Sequence, residues 1–149
     1  MKMKNDHPDI LLLEDIYKSV SLGADTLRTI IGKTEDDGQK SLLCAMLDTY
    51  EDFAGQAKQR LRKSGKETKE LGVLKKLPSE FSVTWSTMTD RSDSKIAQLV
   101  IDGAVMNVSD FKEKIREADE AGASLENIRL AGDILAFHEE IINKMRRYL

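Results

Sequence analysis

Between Ser94 and Phe111 the chain reads SKIAQLVIDGAVMNVSDF, its least polar long segment, with a glycine at the midpoint. Ile96, Leu99, Val100, Gly103, Met106 and Phe111 recur at spacings of three and four, the mark of a helix face turned toward a core. The β-branched pair Val100-Ile101 would also suit a strand. The periodic pattern continues through Ile115 to Ala118, however, and roughly 25 residues far exceeds ordinary strand length. A central helix is therefore expected. A mid-helix glycine costs about 1 kcal/mol relative to alanine, so Gly103 asks for a packing reason. The pair Gly23-Ala24, midway along the first predicted helix, matches Gly103-Ala104 here, and two helices crossing at small residues is the expected contact.

At 149 residues the chain is long enough for one domain with a core of its own. Two prolines, one tryptophan and 33% charged residues set it among helix-rich proteins, too apolar for disorder and too charged to span a bilayer. The longest early apolar run is Ile10 to Leu13, short of a signal-peptide core, so a cytoplasmic location is expected. Cys44 is single and has no His or Cys neighbour at ligand spacing, which reads as a buried small hydrophobe. A net charge of −3 offers no electrostatic case for nucleic acid or an anionic membrane. The cluster Lys58, Arg60, Arg62, Lys63, Lys66 and Lys69 is either an anion site or a helix end whose cations suit the negative pole of the dipole.

Residues 1–8, MKMKNDHP, read as a disordered polar leader ahead of a single bundle domain over residues 9–149. Helix one is expected from Asp9 to Ile31, with Leu13, Ile16, Val20, Ala24, Leu27 and Ile31 inward and Gly32 as its stop. Thr34, Asp36 and Asp37 supply the cap and acidic first turn of helix two. That helix runs to about Ser64, with Leu43, Met46, Tyr50, Phe53, Ala57 and Leu61 inward, and Gly65 stops it. Ser92 caps helix three, which ends near Ala118, and Ser124 caps helix four, which carries Leu135, His138, Ile141 and Met145 inward and continues to Tyr148. The connection between helices two and three has a cap signal at Ser79 and an apolar stripe of Phe81, Trp85 and Met88, so one or two short helices are expected within it. About 20 helical residues there would cover roughly 30 Å, enough for helix three to run parallel to helix two. The fold class is all-α: two helical hairpins joined by one long crossover.

The segments LEDIYKSVSLGADTLRTII, YEDFAGQAKQRL, IAQLVIDGAVMNVSDFKEKI and LAFHEEIINKMRRYL, in that order, make the chain resemble the ferritin-like superfamily. Within it, the chain looks nearest to bacterial ferritin-like helical-bundle proteins of unknown function. The resemblance covers nearly the whole chain. It implies a ferritin-like four-helix bundle and, for many relatives, a di-iron site used in oxygen or peroxide chemistry or in iron storage. Such a site needs an inward Glu on each of two helices and an inward Glu-x-x-His on each of the other two. No Glu-x-x-His occurs here: Leu135 stands three residues before His138, and the slots of helix two fall on Tyr50 and Phe53. Asp25, Asp48, Glu51, Asp102, His138 and Glu139 lie near the middles of their helices, and the carboxylates among them would reach the centre only if the inward stripes were rotated by one residue. Otherwise those carboxylates are solvated flanks and His138 is a hydrogen-bonded core or boundary residue.

No Ser-His-Asp set, Gly-rich phosphate loop or Cys pair supports another enzyme class. The expectation is a bundle with no complete di-iron site, no cofactor and no catalytic residue, acting by association with a second copy of itself or with another protein. Phe81, Trp85 and Met88 are the interface candidates, unless they cover the bundle itself. The alternative is an unusual di-metal oxidoreductase or iron-binding protein of the rubrerythrin-ferritin type.

Overall fold

The computed structural model describes residues 7–65 and 88–149. Four long helices carry it: α1 (Pro8–Lys33), α2 (Asp37–Lys63), α3 (Asp93–Ala121) and α4 (Leu125–Met145), with a short 3₁₀ turn at Arg146–Tyr148. Each long helix starts on a side chain that satisfies an amide left over by the first turn. His7 Nδ1 accepts from the Asp9 amide at 3.2 Å, Asp36 from Gln39 at 2.8 Å, Ser92 from Lys95 at 3.2 Å and Ser124 from Asn127 at 3.4 Å. Pro8 takes the first helical position, where its missing amide is no loss, so helix begins inside the expected leader. α3 ends at Gly122, whose φ of 89° suits glycine. α1 instead runs past Gly32 to Lys33 and closes on Thr34, whose Oγ1 donates to the Ile30 carbonyl at 2.7 Å.

Cross-helix hydrogen bonds set the directions. Gln39 Nε2 donates to the Asp93 carbonyl at 2.9 Å, so α2 and α3 start at one end. Asp9 Oδ1 accepts from the Ser124 amide, the Ser124 hydroxyl and Asn127 Nδ2, each at 2.9 Å, so α1 and α4 start together at the other. α1 packs chiefly on α2, and α3 on α4, giving two antiparallel hairpins. α2 finishes beside the first turn of α4, where Arg60 donates to Asn127 Oδ1 at 2.8 Å. The end of α2 and the start of α3 therefore lie a bundle length apart, and the two helices run parallel, as the reach of the connection led us to expect. The short helices expected in that connection, with Phe81 and Trp85, lie outside the described residues. Among the described residues there is no strand, and no helix is long and apolar enough to cross a membrane.

Val20, Leu27, Met46, Tyr50, Val100, Phe111, Ile141 and Met145 share one buried core, as their spacing predicts. Burying a side chain of this kind contributes roughly 1.5–3 kcal/mol, and that burial drives the pairing of the hairpins. Several expectations are corrected at the edges of this core. α1 buries Ile30 rather than Ile31, and Phe53 and Leu135 are only half-buried against it. Cys44 is exposed, because the inward positions Gln39, Leu43, Met46 and Tyr50 turn its face of α2 to solvent.

The largest correction falls on α3, where Ala104 faces inward in place of Gly103 and Met106 is 51% exposed. A Cβ on Gly103 would meet nothing within 4 Å, so this glycine marks no helix crossing. The close approach lies at Gly23, where a Cβ would come within 2.7 Å of the Tyr50 ring. Its partner is thus an aromatic side chain of α2, not the backbone of α3.

Candidate functional site

The mid-helix carboxylates do not converge. Asp25 and Glu51 are exposed and both pair with Arg28, Asp102 is exposed and accepts from Gln98 at 2.9 Å, and Asp48 and Glu139 are exposed. Glu113, also expected outside, is exposed and pairs with Arg116. His138 alone of the six points inward, with 0% of its surface exposed. Among the described residues no three His, Cys, Asp or Glu side chains stand close enough to share a metal ion. The described residues therefore do not fit the di-iron group that the resemblance implies.

An aromatic cluster occupies the centre. His138 Nε2 lies 2.9 Å from the Tyr50 hydroxyl, and its ring packs 5.5 Å from Phe111 and 5.9 Å from Phe137. Tyr50 meets Phe137 edge to face at 5.1 Å, the arrangement that aromatic quadrupoles favour. Burial pushes the Tyr50 phenol well above its ordinary range, and burial pulls His138 down to about 4. Both groups are neutral at pH 7, so the centre offers no charge to hold a cation. Asn107 of α3 also hydrogen-bonds the Tyr50 phenol. Whichever of Tyr50 and His138 donates in the bond between them, His138 Nδ1 has no hydrogen-bond partner among the described residues.

The Tyr50 ring also forms part of the floor of a half-open groove of about 560 Å³ between α1 and α3. That volume lies within the range of small-molecule sites. The groove is graded along its length. At one end stand Asp15, Lys18, Ser19, Ser109, Asp110 and Lys114; at the other Leu27, Ile30, Leu99, Val100 and Ile141. Gly103, Met106 and Asn107 line the middle. Lys114 has a largely covered side chain and reaches Asp110 at 3.4 Å and Asp15 at 3.9 Å. Lys18 forms no ion pair among the described residues.

Of the interface candidates, Met88 is buried within the chain itself, so it packs rather than presenting a free surface. Of the basic cluster, Arg60 is engaged between α2 and α4 and so belongs to the bundle. The sequence reading missed the groove because it assigned Gly103 and Met106 to the core. A usable signal was present: α3 carries more apolar positions than one helix face can bury, and Gly103 and Met106 lie on a flank beside the buried Leu99, Val100, Ala104 and Phe111. Compared with protein-family models, curated proteins and solved structures, the chain matches none.

Proposed function

We propose that this chain is a ferritin-like four-helix bundle that works by binding rather than by metal chemistry, with the groove between α1 and α3 as its binding face. The observation that carries the reading is the exchange of roles between centre and flank. The axis of the bundle, where a di-iron protein would place carboxylates, is filled by Tyr50, Phe111 and His138, and the accessible space lies off-axis beside Gly103. The parallel course of α2 and α3 supports the ferritin-like part of the reading, since a long crossover separates that topology from simple up-and-down bundles.

A neutral fluorescent probe, 1-aminoanthracene, tests the groove. It should brighten on titration into the protein, and Gly103→Phe, which projects a ring into open space, should abolish the signal while leaving helicity unchanged. Protein purified from iron-replete cells should carry iron and manganese far below stoichiometric amounts and show no ferroxidase or peroxidase activity above buffer, and His138→Ala should not alter that result. Absence of any probe binding would end the groove reading. Stoichiometric metal lost with His138 would transfer the protein to the rubrerythrin-ferritin type of oxidoreductase or iron binder.

A further inference from the structure

The geometry points to a single-chain amphiphile with a carboxylate head as the occupant of the α1–α3 groove, lying with its head between Lys18 and Lys114 and its tail toward Ile30 and Leu99. This inference rests on the binding reading above and adds the chemistry of the ligand. Polarity in the groove is sorted along its length rather than scattered around a rim. Every charged lining residue falls in the third that holds Lys18 and Lys114, and the far third is apolar apart from Thr26.

From Lys18 to Ile30 the helix rises about 18 Å, a span that suits an extended medium-length alkyl chain rather than a compact ring. Burial of apolar surface scales with tail length, so a tail laid on this floor supplies most of the affinity. The head end selects the sign of charge. Lys114 is already held by Asp15 and Asp110, whereas Lys18 has its ammonium free of ion pairs among the described residues. The two aspartates at this end are both engaged by Lys114, so a carboxylate would pair with Lys18, whereas a cationic head would meet that ammonium with no uncommitted carboxylate beside it among the described residues.

Isothermal titration with dodecanoate, dodecanol and dodecyltrimethylammonium, each below its micelle concentration, tests the proposal on the full chain. Dodecanoate should bind with one site per chain, dodecanol more weakly, and the cation most weakly of the three. Lys18→Gln should weaken dodecanoate by about fivefold, the scale of a partly exposed ion pair, and leave dodecanol unchanged. Gly103→Phe should remove binding of both, and Gly103→Leu, a smaller intrusion, should weaken both if the larger ring disturbs folding. If 1-aminoanthracene binds but dodecanoate binds no better than dodecanol, the amphiphile proposal fails and the binding reading stands. If neither binds, both fail. Binding that emerges only on dilution of the protein would give the groove to a second copy of the chain and overturn the proposal. Retention on phosphatidylglycerol vesicles without binding of free dodecanoate would overturn it as well.

Discussion

Along α1, the seam with α2 is closed at Gly23 by the Tyr50 ring, whereas the seam with α3 stays open at Gly103, where an added Cβ would meet nothing within 4 Å. Both glycines sit mid-helix and both cost helix propensity, yet only the first is required by packing. The difference follows from what each neighbour presents. α2 places a large ring against α1 and pins it through the His138 hydrogen bond and the edge of Phe137. α3 turns Ala104 and Val100 to the core and leaves Gly103 and Met106 on the flank. A glycine therefore says that space matters at its position, but only the partner helix says whether that space is filled or kept.

The largest expected effect tests the closed seam through pH. His138 has an ordinary value of 6.5 and is held at about 4 by burial, so between those values the unfolded chain binds more protons than the folded one. Stability should fall as pH drops below 6.5, by on the order of 3 kcal/mol by pH 4, and then level off with respect to this group. Denaturant titrations across that range check it, and His138→Leu should flatten the profile. Asp9 does not confuse the result. Its carboxyl would be raised by burial, but the hydrogen bonds from Asn127 and Ser124 outweigh that and hold it below its ordinary 3.8, so its contribution is lost only at lower pH.

Next in size is Gly23→Ala, which should cost about 1 to 2 kcal/mol in denaturant melts despite alanine's better helix propensity, because the ring it meets cannot swing away. An unchanged or raised melting midpoint would mean that the seam is looser than described. Tyr50→Phe should cost about 1 kcal/mol or somewhat more by stranding His138 Nε2. The double variant Tyr50→Phe with His138→Leu should recover part of that loss, a coupling readable from a double-mutant cycle. Smallest is Gly103→Ala, expected to stabilise by about 0.5 to 1 kcal/mol, since it removes a helix penalty without filling contested space. Destabilisation there would restore the helix crossing that the sequence suggested.

Much of the fold was legible in the sequence because its punctuation is local. Asp36, Ser92, Ser124 and Gly122 cap and end the helices where their side chains or backbone freedom permit, and the three-four spacing in α1 and α2 marks most of the core. The phase of α3 was not legible. Its apolar residues spread beyond one face onto a flank, and periodicity alone cannot tell which of them meet a neighbour. His138 was readable as inward from its company of Ile141 and Met145, but its link to Tyr50 spans 88 positions and depends on how the hairpins dock. Asn107 and Lys114 were invisible as site residues, since nothing in their local sequence differs from an ordinary solvated flank.

Asn127 is bonded at once to Asp9 of α1 and Arg60 of α2, while its own backbone opens α4. Apolar stripes repeat every turn, so two hairpins held by them alone could slide by one turn and still bury similar area. The polar node has no such repeat. A shift of about 5.4 Å would strand the carboxylate, the carboxamide and the guanidinium together, at a cost no alternative packing of leucines returns. A small cluster at one end of the molecule thus acts as an alignment key, giving the two hairpins a single way to mate.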